Sequence, residues 1–163
     1  MKLKKNTKYK GVWFYGLSGS GKTYSSKLLK LKKKKSIIVD GDKVRKLISC
    51  DLGFDLKDRK IQLTRVFGIA KIIIDSGFFP ILSTVYFNKK TLNLCKKNKI
   101  LPILIQRLNF DKILINHKTY KNKKNVVGID LKYPKIKTLI VINNNEKNYL
   151  FKNNFLKKIK FFN

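Results

Sequence analysis

The sequence predicts an α/β fold in which a parallel sheet of about five strands is covered by helices on both faces. Apolar, β-rich segments alternate with segments of helical periodicity along most of the 163 residues, which is typical of such sheets. A glycine-rich loop also separates the first predicted strand, at 11–15, from the first predicted helix, at 24–31. Because ligands bind at the carboxyl ends of parallel strands, we expect a site beside this loop.

The other predicted elements continue this alternation, with Trp13 and Tyr15 of the first strand expected in the core. Strands are expected at 35–40, 78–84, 100–105 and 138–142, and helices at 42–49, 57–75, 88–97 and 146–158. The helix over 57–75 has an apolar stripe that comprises Leu63, Val66, Phe67, Ala70, Ile73 and Ile74. The expected apolar faces of the two earlier helices are Tyr24, Leu28 and Leu31, and Val44, Leu47 and Ile48. Gly77 is expected to cap the long helix at its C-terminus.

A single domain is expected over 1–163, because this length suits one hydrophobic core. It includes a basic arm at 1–10 and, at about 110–130, a segment rich in Lys and Asn that is a candidate lid. No apolar run approaches the roughly 20 residues that cross a bilayer, and the basic N-terminus does not resemble a signal peptide. We therefore expect a cytoplasmic protein without a membrane partner, in which Cys50 and Cys95 are reduced thiols.

The net charge of +30 comes mainly from lysine rather than arginine. Proteins that bind nucleic acid usually concentrate arginine and aromatic residues on one face. The abundance of Lys, Asn, Ile and Phe favours compositional drift toward AT-rich codons over a selected polyanion-binding surface, although both interpretations stay open. We expect nonspecific binding to nucleic acid at low salt and no specific binding. The positive field also favours anionic substrates such as nucleotides.

The loop Gly16-Leu17-Ser18-Gly19-Ser20-Gly21-Lys22-Thr23 matches G-x-x-x-x-G-K-[ST] at every fixed position. Its place between a strand and a helix indicates a phosphate-binding loop. Glycines allow consecutive backbone N–H groups to surround an anion, and the positive end of the helix points at the same phosphates. We expect Lys22 to reach the β- and γ-phosphates of ATP and the Thr23 hydroxyl to bind Mg²⁺.

A second cluster, Asp40-Gly41-Asp42, follows the second predicted strand, and Arg45 lies one helical turn later. In a phosphate-transfer site, a carboxylate here can bind Mg²⁺ through water or accept a proton from an attacking hydroxyl. The arginine can hold an anionic group of the substrate. Since Asp is also a favoured helix N-cap residue, a purely structural role stays open.

The order of these motifs resembles that of the adenylylsulfate kinases, which phosphorylate the ribose 3′-hydroxyl of adenosine 5′-phosphosulfate with MgATP. The resemblance runs in collinear order from about Gly11 to Pro134. It includes Leu52-Gly53-Phe54, Asp58-Arg59, Arg65-Val66, Ala70 to Gly77, Ser83-Thr84-Val85, Lys124-Asn125, Gly128-Ile129-Asp130 and Tyr133. It implies a P-loop NTPase fold, which is a three-layer αβα sandwich, and a kinase that uses ATP and Mg²⁺.

The resemblance also implies a role for each site residue. The phosphate loop would hold ATP, Thr23 and Asp42 would bind Mg²⁺, and Asp42 and Lys22 would be catalytic. The residues implied in binding the acceptor are Asp40, Arg45, Phe54, Arg59, Gln62, Val85, Lys124, Gly128 and Ile129. The two arginines would bind the phosphosulfate end, and Phe54 would stack on the base. Because family members often dimerise, a homodimer is also expected.

The chain departs from the family pattern near the expected acceptor site. Val126 replaces a phenylalanine that stacks on adenine, and Gln62 and Thr64 replace an asparagine and an arginine. Tyr86 replaces a serine that some members phosphorylate, although direct in-line transfer does not need that serine. Two alternatives therefore stay open. One is a kinase for another nucleotide, such as a cytidine diphosphate-type compound, and the other is a degenerate P-loop protein that binds nucleotide or nucleic acid.

Overall fold

A computed structural model of the chain describes residues 8–107, 117–121, 124–134, 136–138, 140–145 and 148–159. Five parallel strands form one sheet in the order β2-β3-β1-β4-β5. The strands are β1 (Gly11–Tyr15), β2 (Ser36–Asp40), β3 (Phe79–Thr84), β4 (Ile100–Gln106) and β5 (Ile140–Asn143). The helices are α1 (Lys22–Lys32), α2 (Gly41–Leu47), α3 (Leu56–Asp75), α4 (Lys89–Lys97) and α5 (Asn148–Lys158), with a 3₁₀ turn at Lys118–Tyr120. The predicted α/β fold with a five-stranded parallel sheet is confirmed.

The sheet separates two hydrophobic clusters, because successive side chains of a strand point to opposite faces. Val12 and Phe14 of the central strand β1 pack with the cluster that contains residues of α1 and α5. Trp13 and Tyr15 are also buried, as expected, and pack with residues of α2, α3 and α4. Helices thus cover both faces of the sheet, as in a three-layer sandwich.

The long helix α3 follows its predicted stripe, and its end follows from glycine. Gly77 has φ of +80°, and its N–H donates to the Ile74 carbonyl while the Phe78 N–H donates to the Ile73 carbonyl. These two bonds form a Schellman motif, in which a left-handed residue ends the helix at low steric cost. The predicted C-terminal cap is confirmed, and it turns the chain directly into β3.

The apolar faces predicted for the two shorter helices were partly wrong. In α1 the buried residues are Leu28 and Leu29, whereas Leu31 is 78% exposed. Leu31 lies two positions beyond Leu29, so it is about 200° around the helix and points away from the sheet. Of the face predicted for α2, only Val44 is buried, whereas Leu47 and Ile48 are exposed because the helix ends there.

The chain outside these elements is described in part. Within the described ranges, no helix has both the length and the apolar character needed to cross a membrane. Most of the basic arm at 1–10 and two parts of the candidate lid, at 108–116 and 122–123, lie outside the described residues. The described part of the lid segment contributes Thr119, Tyr120 and the turn at 126–131 to the site.

Candidate active site

The phosphate loop connects β1 to α1 and depends on glycine at three positions. Gly16, Gly19 and Gly21 have φ values of +150°, +77° and +101°, a region that side chains with a Cβ rarely adopt. A Cβ on Gly21 would also collide with the Asn144 side chain, and one on Gly16 would collide with the Ile105 carbonyl oxygen. The glycines of the sequence pattern are therefore required by the shape of this loop.

Two side chains from distant parts of the chain hold the loop from outside. The Asn144 side-chain amide donates to the Ser20 carbonyl oxygen at 2.9 Å, and the Tyr120 hydroxyl donates to the Ser18 carbonyl oxygen at 2.9 Å. Sequence reasoning missed both residues. Asn144 directly follows β5, so its place at a strand end could have indicated it. Tyr120 lies in a segment rich in Lys and Asn that offers no such signal.

Lys22 begins α1 and is only 9% exposed. Its Nζ donates to the Leu17 carbonyl oxygen at 2.8 Å, so the side chain curls back over the loop. Burial lowers the pKa of the Lys22 ammonium to about 8, and Asp42 and Asp40 oppose this shift. The Lys22 ammonium group is therefore available to bind the phosphates of a nucleotide. The negative charge of those phosphates would favour the protonated form of Lys22.

Thr23, Asp40 and Asp42 place oxygen atoms beside Lys22. The Thr23 hydroxyl donates to Asp40 Oδ2 at 3.2 Å, and the Asp42 N–H donates to Asp40 Oδ1 at 2.9 Å, which makes Asp40 the N-cap of α2. The structural role that the sequence left open for Asp40 is therefore real. Mg²⁺ prefers one or two carboxylates together with phosphate and water oxygens. Thr23, Asp40 and Asp42 therefore fit an ion that is held partly by the phosphate oxygens of a nucleotide and partly by water.

Two pockets meet beside Asp42. The pocket on the phosphate side has a volume of about 300 Å³ and includes Gly19, Gly21, Lys22, Thr23 and Asp40. The pocket on the other side, which we call the acceptor pocket, has a volume of about 130 Å³ and includes Arg45, Phe54, Arg59 and Gln62. Both pockets are lined by Ser18, Asp42, Thr84, Val85 and Thr119. Two ligands bound in these pockets would therefore approach each other at Asp42.

The acceptor pocket has two arginines over one aromatic ring. The Arg45 and Arg59 guanidinium carbons lie 4.7 and 5.8 Å from the centre of the Phe54 ring. Arg59 also donates to the carbonyl oxygens of Phe54 and Asn125, both at 2.8 Å, and Arg45 donates to the carbonyl oxygen of Gly53. Burial lowers the pKa of each arginine from its ordinary high value. The guanidinium groups stay charged at neutral pH and can bind an anionic group as planar forks.

The floor of the acceptor pocket differs from the family pattern. Gln62 is buried and donates from Nε2 to the Gly41 carbonyl oxygen at 3.1 Å, whereas its Oε1 has no hydrogen-bond partner within the described part of the chain. Val126 and Tyr86 also line this pocket and are 5% and 7% exposed. These three departures therefore lie at the pocket itself and bear on the acceptor.

Three residues of the expected site lie around the turn at 126–131 rather than in a pocket wall. Lys124 and Ile129 are exposed and line neither pocket. Gly128 has φ of +93° and lies against the Leu17 side chain. The Asp130 carboxylate holds the turn by accepting hydrogen bonds from the Asn125 and Val126 N–H groups at 2.5 and 2.6 Å. The turn thereby fixes Val126 at the acceptor pocket.

Comparisons with known proteins agree with this geometry. The family model of adenylylsulphate kinase matches residues 8–110. Adenylyl-sulfate kinase 3 of Arabidopsis thaliana is 35% identical over 109 residues, which are 64% of this chain and 50% of that protein. An adenylyl-sulfate kinase of Buchnera aphidicola is 27% identical over 111 residues, which are 64% of this chain and 49% of that protein. The chain thus spans about half the length of these curated relatives.

A solved structure extends the likeness in fold to nearly the whole chain. The Mycobacterium tuberculosis APS kinase CysC in complex with AMPPNP and APS has a TM-score of 0.79 and 23% identity, and covers 94% of this chain and 97% of that one. Shikimate kinase from Aquifex aeolicus has a TM-score of 0.59 and 15% identity, with 92% and 96% covered, so kinases with other substrates share this fold. Because the family model matches well over half of its residues, the chain belongs to the adenylylsulfate kinase family.

Proposed function

We propose that this protein transfers the γ-phosphoryl group of ATP to the 3′-hydroxyl of adenosine 5′-phosphosulfate and so forms 3′-phosphoadenosine 5′-phosphosulfate. The observation that supports this proposal best is the meeting of two pockets at Asp42, one beside the phosphate loop and one beside two arginines. A kinase needs this arrangement because its donor phosphate and acceptor hydroxyl must be in line at one point.

On the phosphate side, the loop N–H groups and the start of α1 would bind the ATP phosphates. Lys22 would move from the Leu17 carbonyl to the β- and γ-phosphates and neutralise charge there. Thr23, Asp40 and Asp42 would hold Mg²⁺ together with phosphate and water oxygens. When bound, this ion supplies charge neutralisation on the transferring phosphoryl group.

On the acceptor side, Arg45 and Arg59 would bind the phosphosulfate group, and Phe54 would stack on the base. Asp42 would then accept a hydrogen bond from the 3′-hydroxyl and take its proton as the new oxygen–phosphorus bond forms. The bond between the γ-phosphorus and the bridging oxygen breaks, and ADP leaves with that electron pair. The chemistry is therefore one of positioning and charge neutralisation.

The test is an ADP-release assay with MgATP and adenosine 5′-phosphosulfate. We expect turnover by the wild type and a loss of about 10²–10⁴-fold in kcat for Asp42→Asn, which removes a general base. Asp75→Asn is the matched control, because this exposed carboxylate lies at the far end of α3 and pairs only with Lys71 among the described side chains. Absence of turnover in a wild type that binds ATP would contradict the proposal and favour a degenerate nucleotide-binding protein.

A second candidate acceptor is another nucleotide, because Val126 offers the base a smaller face than phenylalanine. Stacking of a base on an aromatic side chain contributes about 1–3 kcal/mol, so its loss weakens the preference for adenine. A panel of nucleotides in the same assay distinguishes the two acceptors. If adenosine 5′-phosphosulfate is the substrate, Val126→Phe should lower its KM. If another nucleotide is preferred, the same variant should shift kcat/KM back toward the adenine compound.

Two further properties rest on the family alone. We propose a homodimer, which light scattering during size-exclusion chromatography would detect as twice the chain mass, and a cytoplasmic location, which cell fractionation would test. A monomer with full turnover would show that both pockets are complete within one chain.

A further inference from the structure

A third pocket lies on the side of the phosphate loop that faces away from Asp42. It has a volume of about 720 Å³ and lies between the ends of β1 and β4 and residues 133–134 and 136–137. Its lining shares no residue with the phosphate-side and acceptor pockets. We call it the rear pocket. The phosphoryl transfer proposed above takes place at Asp42, which does not line this pocket.

The walls of the rear pocket are mostly apolar, but they include three buried hydroxyl groups, those of Tyr15, Ser20 and Tyr133. Leu17, Leu104 and Ile136 contribute apolar surface. Ser20 is 2% exposed, and neither its Oγ nor the Tyr133 hydroxyl has a hydrogen-bond partner within the described ranges. Leaving a buried hydroxyl without a hydrogen-bond partner destabilises the folded protein. Unpaired groups of this kind call for an explanation, and a ligand that supplies partners is one.

The rear pocket also carries positive charge. Arg107 and Lys137 are part of its lining, and the Arg107 Nε donates to the Asn144 carbonyl oxygen at 2.8 Å. Burial raises the pKa of the Tyr133 hydroxyl, so this group stays a neutral donor at physiological pH. The pocket therefore offers donors and cations to its occupant, and no acidic side chain lines it among the described residues.

We propose that the rear pocket binds a small amphipathic anion with a flat apolar body, whose charged group and hydrogen-bond acceptors meet Arg107, Lys137 and the hydroxyls of Ser20 and Tyr133. Its volume lies within the range of roughly 300–1,000 Å³ that is common for small-molecule sites. Apolar walls with a few converging polar groups are also the usual composition of such sites.

The occupant would act on the phosphate loop directly. Leu17 and Ser20 belong to both the loop and the rear pocket, and their carbonyl oxygens accept hydrogen bonds from Lys22 and Asn144. A ligand in the rear pocket packs against Leu17 and gives the Ser20 hydroxyl a hydrogen-bond partner. The phosphate loop thereby becomes more rigid. A second ligand that needs the same rigid loop then binds with a smaller entropic cost. The ligand should therefore raise the affinity for ATP, and this coupling rests on the proposed function.

The first test measures binding to the full chain with 1-anilinonaphthalene-8-sulfonate, a fluorescent probe that has an aromatic body and a sulfonate. Salt at about 0.3 M screens nonspecific attraction to the basic surface. We expect one saturable site whose Kd rises at least tenfold in Leu104→Trp, because the larger side chain fills the pocket. Ile72→Trp is the matched control, since Ile72 is 69% exposed on α3 and lines none of the three pockets.

Tyr133→Phe keeps the shape of the pocket and removes one hydroxyl, so it decides the question if Leu104→Trp does not fold. Loss of one hydrogen bond should raise the probe Kd about 2–10-fold. A saturating non-hydrolysable ATP analogue should leave the probe bound and lower its Kd. Displacement of the probe by the analogue, an unchanged Kd in the folded variants, or no saturable binding would each overturn the proposed site.

Probe binding also separates this proposal from the proposed kinase function. If the probe binds as expected but no acceptor supports ADP release, the rear pocket stands and the kinase function fails. If the enzyme turns over but no saturable probe site exists, the reverse holds. If both are present and the probe does not change the KM for ATP, the ligand site stands and its coupling to the loop is wrong.

Discussion

The phosphate side and the acceptor side of the site are built in different ways. The phosphate side consists mainly of backbone, with three glycines of positive φ and carbonyl groups that Lys22, Tyr120 and Asn144 hold in place. The acceptor side consists mainly of side chains, of which Phe54 is 55% exposed while Val126 is nearly buried.

This difference bears on which part of the site can change. A backbone cradle recognises only phosphate, and its glycines cannot be replaced without strain. A wall of side chains can be changed by single substitutions, and Val126 and Tyr86 are positions in this wall. We therefore expect the donor to be fixed by the loop and the acceptor to be set by a few replaceable side chains.

The largest effect is expected from Lys22→Ala. It removes the charge that the phosphate side offers to ATP, and we expect kcat/KM to fall by about 10³-fold or more in the ADP-release assay. Lys27→Ala is the matched control, because Lys27 lies on the exposed face of the same helix. Similar losses in both variants would mean that overall positive charge, rather than this position, drives turnover.

The same lysine predicts a pH dependence of stability in the nucleotide-free protein. With its folded pKa at about 8 and an ordinary value of 10.5, the folded state binds fewer protons than the unfolded state between these pH values. Stability of the wild type should therefore gain up to roughly 3 kcal/mol as the pH rises through this window. Lys22→Met removes the buried charge and should be more stable at pH 7, with a smaller advantage near pH 10.

Chemical denaturation of both proteins at pH 7 and pH 10 would measure this difference. All other titrating groups are common to the two proteins, so the change in the gap reports Lys22. A gap that stays constant with pH would show that Lys22 does not titrate in this range.

A smaller effect is expected on the acceptor side. Arg45→Ala should raise the KM for the acceptor about 10–30-fold and leave the KM for ATP nearly unchanged, because one charge-assisted hydrogen-bonding group is lost. Arg65→Ala is the control, since this half-buried arginine pairs with Asp51 outside both pockets. An equal rise in both KM values would contradict the division of the site into two independent sides.

The smallest effect on stability is expected from replacing glycine by alanine, with opposite signs for a glycine of α3 and a glycine of the phosphate loop. Gly68→Ala should raise the free energy of unfolding by about 0.5–1 kcal/mol, since Gly68 is an exposed residue within α3 and has no atom near its missing Cβ. Gly21→Ala should instead lower both stability and ATP affinity. Thermal melts with and without a non-hydrolysable ATP analogue would measure both. Equal tolerance at the two positions would contradict the requirement for glycine in the loop.

The sequence predicted the phosphate side better than the acceptor side. The spacing of Gly16, Gly21, Lys22 and Thr23 has one structural solution, so a local pattern was enough to place it. Arg45, Phe54, Arg59 and Gln62, which the family resemblance implied in binding the acceptor, line one pocket, and their role there stays a prediction. The resemblance did not predict that Lys124 and Ile129 would lie outside both pockets, because the Asp130 carboxylate fixes the turn at 126–131 so that Val126 lines the acceptor pocket and these two residues do not.

The fold was predicted where a pattern extends over many residues and missed where it is short. Helix α3 has 20 residues and carries an apolar stripe, whereas α2 has 7 residues. In a helix as short as α2, the position at which the helix ends decides whether Leu47 is buried. Tyr120 and Asn144 were missed because their partners are 102 and 124 positions away. No local periodicity reports contacts over such distances.

The contact between Ser20 and Asn144 also has a consequence for synthesis of the chain. The ribosome releases the glycine loop 124 positions before the side chain that supports it, and contacts so distant in sequence form late. A nascent chain would therefore lack a finished nucleotide site until β5 has joined the sheet. A ligand stabilises only the state that binds it. A nucleotide would therefore stabilise fully folded molecules and leave partly folded ones without this stabilisation.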